Sequence, residues 1–238
     1  MVRQRVSRRK PRRGGRRVGR RVARRNNRKF NLHAFKRRAA TIIVGLDQNN
    51  IPTLVQDGNG AMKLGSISSG PYLSNTSQFG MSYNAQLAQA VEYTDFTALF
   101  DRYKITGVKL RILYQNNMGD PNSHALPAIT TAWDGDDAGV PSNKEDVTRK
   151  LFSRTKVLNA NKPMSVYFRP RITKAVYQAG LTTAYTSERT CYLDCNNATI
   201  EHYGYKFWVE SWLATTGAQS GQIMIIEPTL YFSCKDSQ

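Results

Sequence analysis

Residues 103–114 (YKITGVKLRILY) carry the clearest alternation in the chain, with Val108, Leu110, Ile112 and Tyr114 on one face and Lys109 and Arg111 on the other. Successive side chains of a strand point to opposite faces, so this period of two predicts a strand with one buried side. Residues 39–46 (AATIIVGL) form an apolar, β-branched run closed by Asp47 and a polar QNN turn, the pattern of a strand covered on both sides or nearly so. Shorter strands are predicted over 61–68, 126–133, 155–158 and 164–169, between clusters of Asp, Gly, Pro and Asn. Two long ones follow over 205–213 (YKFWVESWL) and 222–234 (QIMIIEPTLYFSC), with Glu227 and Pro228 marking a bulge or bend in the second.

Helical signals are few. Residues 85–93 (AQLAQAVEY) have helical composition, and 95–100 add a turn. Ser142 followed three positions later by Glu145 is a capping-box pattern that predicts a brief helix over 142–150. Residues 45–60 and 173–203 read as long irregular stretches available for surface or subunit contacts. Eight strands without alternating helices predict an all-β, antiparallel two-sheet sandwich, of which the jelly roll is the eight-stranded form; pattern alone leaves another Greek-key connectivity open.

Charge changes this picture at one end. The chain of 238 residues has a formal net charge of +18. Its first 38 residues hold 15 Arg and 3 Lys and no acid, while the remaining 200 hold 17 basic and 17 acidic side chains. The domain organisation expected is therefore a basic arm, 1–38, followed by a folded body, 39–238, long enough for one core. The arm offers too few apolar side chains to offset the entropy of ordering it and is expected to be disordered when free. Arginine grips phosphate oxygens in pairs and stacks on bases, which makes nucleic acid the expected partner. The candidate contacts are Arg3, Arg5, Arg8, Arg9, Lys10, Arg12, Arg13, Arg16, Arg17, Arg20, Arg21, Arg24, Arg25, Arg28, Lys29, Lys36, Arg37 and Arg38. Within them Arg8, Arg9, Lys10, Arg12, Arg13, Arg16, Arg17, Arg20, Arg21, Arg24 and Arg25 form dense clusters suited to nuclear import. Membrane insertion is not expected: no run of 18 apolar residues occurs, no apolar signal-peptide region follows the start, and the arm lacks the aromatic or leucine face of a membrane anchor.

Catalytic and metal chemistry finds little support in the residues. Cys191, Cys195 and Cys234 are an odd set without a zinc-module spacing, His202 being the one further soft ligand near the first two, and they read as idle or buried thiols. Asp134, Asp136, Gly139 and Glu145 fall at four positions of a calcium-loop pattern, but Ala138 stands where Asp or Asn is needed and Pro141 intrudes, so an acidic loop between strands is expected. His33, His124 and His202 form no catalytic set, and neither a nucleophile motif nor a phosphate loop is present. No enzyme activity, cofactor or metal is expected.

The segment 96–114 (FTALFDRYKITGVKLRILY), with Phe100, Asp101, Tyr103, Lys104, Ile105, Val108 and Lys109, resembles the aromatic-acidic-x-Tyr-Lys-Ile core and following Val-Lys strand of capsid proteins of circoviruses and related viruses with circular single-stranded DNA genomes. The stretch 131–139 (TAWDGDDAG) is similar to an acidic loop common in them. The resemblance implies a jelly-roll shell domain, a T=1 icosahedral shell of 60 copies, and arms turned inward onto the genome. The partners expected are a single-stranded DNA genome and further copies of the chain from the resemblance, host nuclear import receptors from the arm's basic clusters, and a cell-surface attachment factor of unknown identity. The expected locations are the virion and, during assembly, the host nucleus. An arginine arm does not read the 2′-hydroxyl, so the coat protein of a small RNA virus is the alternative, with a cellular basic nucleic-acid-binding protein behind it.

Overall fold

The computed structural model describes residues 33–47, 49, 51–70, 76–116, 126–178, 181–213 and 222–237. They build an antiparallel jelly-roll sandwich of two sheets with fourteen strands among the described residues, against the eight expected. The excess comes from strands that divide one position in a layer or flank it.

In the first sheet the backbone of the layer is β6 (Phe100–Asn116) against β14 (Gln222–Ser237). The other edge of β14 is shared by β2 (Ile42–Leu46), which pairs with residues 224–226, and β1 (His33–Arg38), which pairs with 229–234. The other edge of β6 is shared by β9 (Met164–Phe168) and β12 (Leu193–Asp194). Beyond β2 lies β3 (Pro52–Asp57). The second sheet has β13 (His202–Leu213) at its centre, with β5 (Thr76–Ala85) on one side and β7 (Ala128–Trp133) on the other. Outside these run β4 (Met62–Ser69) and β8 (Arg154–Val157), and a hairpin of β10 (Arg171–Gln178) and β11 (Leu181–Arg189) joins at Arg171↔Tyr203.

Alternation explains which residues meet between the sheets. Val108, Leu110, Ile112 and Tyr114 are all buried, as the pattern predicts. Tyr103 and Ile105 are buried too, although they lie on the opposite parity. A bulge reconciles the two sets: Tyr231 pairs with Gly107 and Phe232 with Ile105, leaving Thr106 as the extra residue. The bulge is thus here and not at Glu227–Pro228, which stay in register with Arg111 and Leu110. Pro228 instead stands where the neighbour of β14 changes from β2 to β1, and its carbonyl accepts from the Ala39 amide at 3.0 Å. Its lack of an N–H costs no ladder bond at such a junction. Among the described residues Trp212, Tyr83, Tyr103, Phe79, Phe207 and Phe232 are the largest fully buried side chains, each contributing roughly 1.5–3 kcal/mol by burial.

Three segments differ from the sequence expectation for physical reasons. The two stretches read as irregular contain β3 and the β10/β11 hairpin with β12. Residues 85–93 hold the end of β5 and a single 3-10 turn, Leu87–Gln89, and the first α-helix, α1, spans Tyr93–Leu99. The second, α2, spans Lys144–Thr148 and is capped one residue later than expected: the Asn143 side chain accepts from the Asp146 amide, and Asp146 accepts from the Ser142 and Asn143 amides. Glu145 is then released to pair with Arg149 at 2.7 Å, one helical turn on.

Candidate nucleic-acid interface

Of the eighteen cations proposed to meet nucleic acid, Arg3 to Lys29 and the whole import cluster lie outside the described residues. Lys36, Arg37 and Arg38 lie within them, and they belong to a strand: the arm as read from the sequence ends in β1, not in free chain. Apolar anchoring explains the difference. Phe35 packs against Phe96, Phe100 and Phe232 with ring centroids 4.8, 5.8 and 5.5 Å away, and the Arg37 guanidinium lies 5.2 Å over the Phe96 ring. Lys36, between them in sequence, turns outward. Lys36 Nζ sits 5.9 Å over the ring of Tyr231, which in turn contacts Tyr167 edge-on at 5.9 Å.

That row of Lys36, Tyr231 and Tyr167 runs from β1 across β14 and β6 to β9, and reaches a groove of about 1090 Å³ along the side of the sandwich where β8 and β9 run. Among the described residues six cations line it, Lys104, Arg154, Lys156, Arg169, Arg171 and Arg189, and no acidic residue does. Among the described residues none of the six takes part in an ion pair. Gly107 permits the approach of Tyr167, because a Cβ there would collide with the tyrosine ring and hydroxyl. Arg171 is held over the Trp133 ring at 4.9 Å, and Trp133 Nε1 donates to the Arg169 carbonyl at 3.3 Å. Sequence reading missed this groove because its cations come from four separate segments, none of which is a charge run.

The acidic loop has a different construction. Asp134 is buried and its Oδ2 meets Lys150 Nζ at 2.8 Å. Burial pushes its carboxyl above the usual range, and the hydrogen bond it shares with Asp136 holds that partner below it. Lys206 of β13 is buried beneath the loop, where its ammonium donates to the Gly139 carbonyl and to Asp137 Oδ2 at 3.4 Å. Desolvation lowers its pKa. Ser82 Oγ donates to the Ala138 carbonyl at 2.9 Å, and Gly80 lies under Pro141 so closely that a Cβ would strike its carbonyl. Lysines thus stand where a cation would be held, Glu145 faces Arg149, and among the described residues no three His, Cys, Asp or Glu side chains converge on a common point.

The remaining candidates are isolated. Cys195 and Cys234 are buried and unoxidised, burial pushing their thiols up to about 11 and about 12, and Cys191 is exposed. His202 is buried, donates from Nδ1 to the Ile200 carbonyl at 2.9 Å, and is driven down to about 4 by desolvation. Among the described residues no helix is long and apolar enough to cross a membrane.

The jelly-roll sandwich is a fold that this chain shares with a solved viral capsid protein. The BFDV capsid protein, in the crystal structure of its 60-mer, matches with a TM-score of 0.52 at 10% identity, over 87% of this chain and 95% of that one. The decameric BFDV capsid protein gives 0.46 at 10% identity, over 86% and 99%. The X-ray structure of Melon necrotic spot virus gives 0.42 at 12% identity, over 87% and 55%. A sequence comparison with curated proteins returns no match. The family model described as Circovirus capsid protein matches residues 3–238, and this chain belongs to that family.

Proposed function

We propose that the chain assembles as 60 copies into a closed T=1 shell and packages a circular single-stranded DNA genome through its basic arm. The observation that carries this reading is the placement of charge. In a member of the circovirus capsid family, all eighteen net positive charges fall in the first 38 residues, ahead of or within the first strand of the jelly roll. Sixty such arms supply on the order of a thousand cations, enough to neutralise a strand of one to two thousand nucleotides together with mobile counterions. The same clusters, Arg8 to Arg13 and Arg16 to Arg25, serve host import receptors before assembly. A 60-mer built from the BFDV capsid protein supports the stoichiometry.

The test separates shell from cargo. Purified chain should form particles of about 1.6 MDa, sixty times 26.9 kDa, that protect nucleic acid from nuclease. A full-length variant with the fifteen arm cations that precede β1 changed to Gln should keep the fold and lose the protected nucleic acid. Protection that persists in this variant overturns the role given to the arm. The substitution stops short of β1, because a change that reaches Phe35 also disturbs packing.

A further inference from the structure

We propose that the groove between β8 and β9 is a second nucleic-acid site, on the folded body, which takes a short single-stranded segment with phosphates on its cations and bases on its exposed rings. The inference rests on the reading that the protein packages single-stranded nucleic acid and adds a place where the body itself grips the strand.

Charge identifies the class of ligand. The residues after the arm sum to zero, yet six of their seventeen cations line one groove that has, among the described residues, no acid in its lining and no ion pair to occupy those cations. In a neutral body such a concentration is maintained against mutual repulsion, and it is complementary to a polyanion. Rings decide between polyanions. Phe152 is 74% exposed and Tyr167 is 56% exposed, both at the groove and both beside cations, Arg154 and Arg169. A base has a π-face to stack on such a ring, whereas a sulfated sugar has none. Arg171, fixed over Trp133, supplies a phosphate donor that loses little freedom on binding. Continuity supports the same ligand. Tyr167 is reached from the strand that continues the arm through Tyr231 and Lys36, so a strand held by the arm's last cations meets the groove along one sheet face.

The experiment uses the full chain and a bromodeoxyuridine-substituted single-stranded oligodeoxynucleotide. Fluorescence anisotropy first establishes binding; a wild-type chain that does not bind overturns the packaging reading itself. Ultraviolet cross-linking and peptide mapping then locate contacts. The expected result is cross-links at peptides containing Phe152 or Tyr167, lost in a Phe152→Ala/Tyr167→Ala variant whose affinity falls by about tenfold. An Arg154→Gln/Arg169→Gln variant, which keeps both rings, should weaken binding as well. Binding without cross-links in the groove and without loss in either variant overturns this inference and leaves the arm's role standing. Groove variants that lose affinity for a heparin fragment but none for the oligonucleotide also overturn it, in favour of a sulfated-glycan site.

Discussion

The acidic loop and the groove beside β9 both gather charge on the same neutral body, and they use it in opposite ways. In the loop, cations and carboxylates are matched at close range: Lys150 with Asp134 at 2.8 Å, Lys206 with Asp137 at 3.4 Å, and Lys144 with Glu210 at 2.7 Å. Two of those groups, Asp134 and Lys206, are buried, and each is met by its own counter-charge, which fastens the loop across β5 and β13. In the groove six cations have no acid among the described lining residues and are exposed or half-buried. A balance of zero therefore conceals one region where charge holds the fold together and another where charge is left for a partner.

The largest expected effect breaks the matched region. Lys206→Ala removes a buried ammonium and leaves the Gly139 carbonyl without its donor, so unfolding free energy should drop by about 3 kcal/mol. Urea titration measures this, and a loss below about 0.5 kcal/mol, typical of a surface change, would remove the loop's charges from the account of stability.

A buried group without any counter-charge sharpens the contrast. The His202 imidazole protonates near its ordinary 6.5 in the unfolded chain and only at about 4 in the folded one. Between those values the unfolded state holds more protons, so stability falls as pH is lowered through the window, by up to about 3 kcal/mol, and the loss is complete below about 4. Thermal melts of wild type and His202→Phe across pH 7 to 4 check the sign. An equal slope in both proteins assigns acid sensitivity to other groups.

How much of this was legible in the sequence depends on whether the signal was local. The faces of β6 and the presence of β7, β8, β9, β13 and β14 follow from alternation, which reports on immediate neighbours. β5 escaped because its outward face, with Gly80, Ser82 and Asn84, is polar yet buried, covered by the acidic loop and by Glu201. Only the tertiary fold supplies that cover. β1 was hidden by its own cations: Lys36, Arg37 and Arg38 extend the basic run, while the rings that hold Phe35 come from α1, β6 and β14. The groove was illegible for the same reason, since Lys104, Arg154, Arg169 and Arg189 are distant in sequence and each reads as an ordinary exposed charge. The acidic loop was found, but its lysine partners were not, and they decide that it is a fastening.

Salt dependence of oligonucleotide binding puts the division between matched and unmatched charge to its most direct test. The measurement is the slope of log affinity against log salt for the full chain, for a groove variant with Arg154, Lys156 and Arg169 changed to Gln, and for a loop control with Lys144 and Lys150 changed to Gln. Each phosphate contact on a single strand contributes roughly −0.7 to that slope. The groove variant should therefore lose about 2 from its magnitude while its stability stays within about 0.5 kcal/mol of wild type for each exposed change. The loop control should keep the wild-type slope. A groove variant with an unchanged slope, or a loop control that loses as much, would contradict the division of charge between fold and partner.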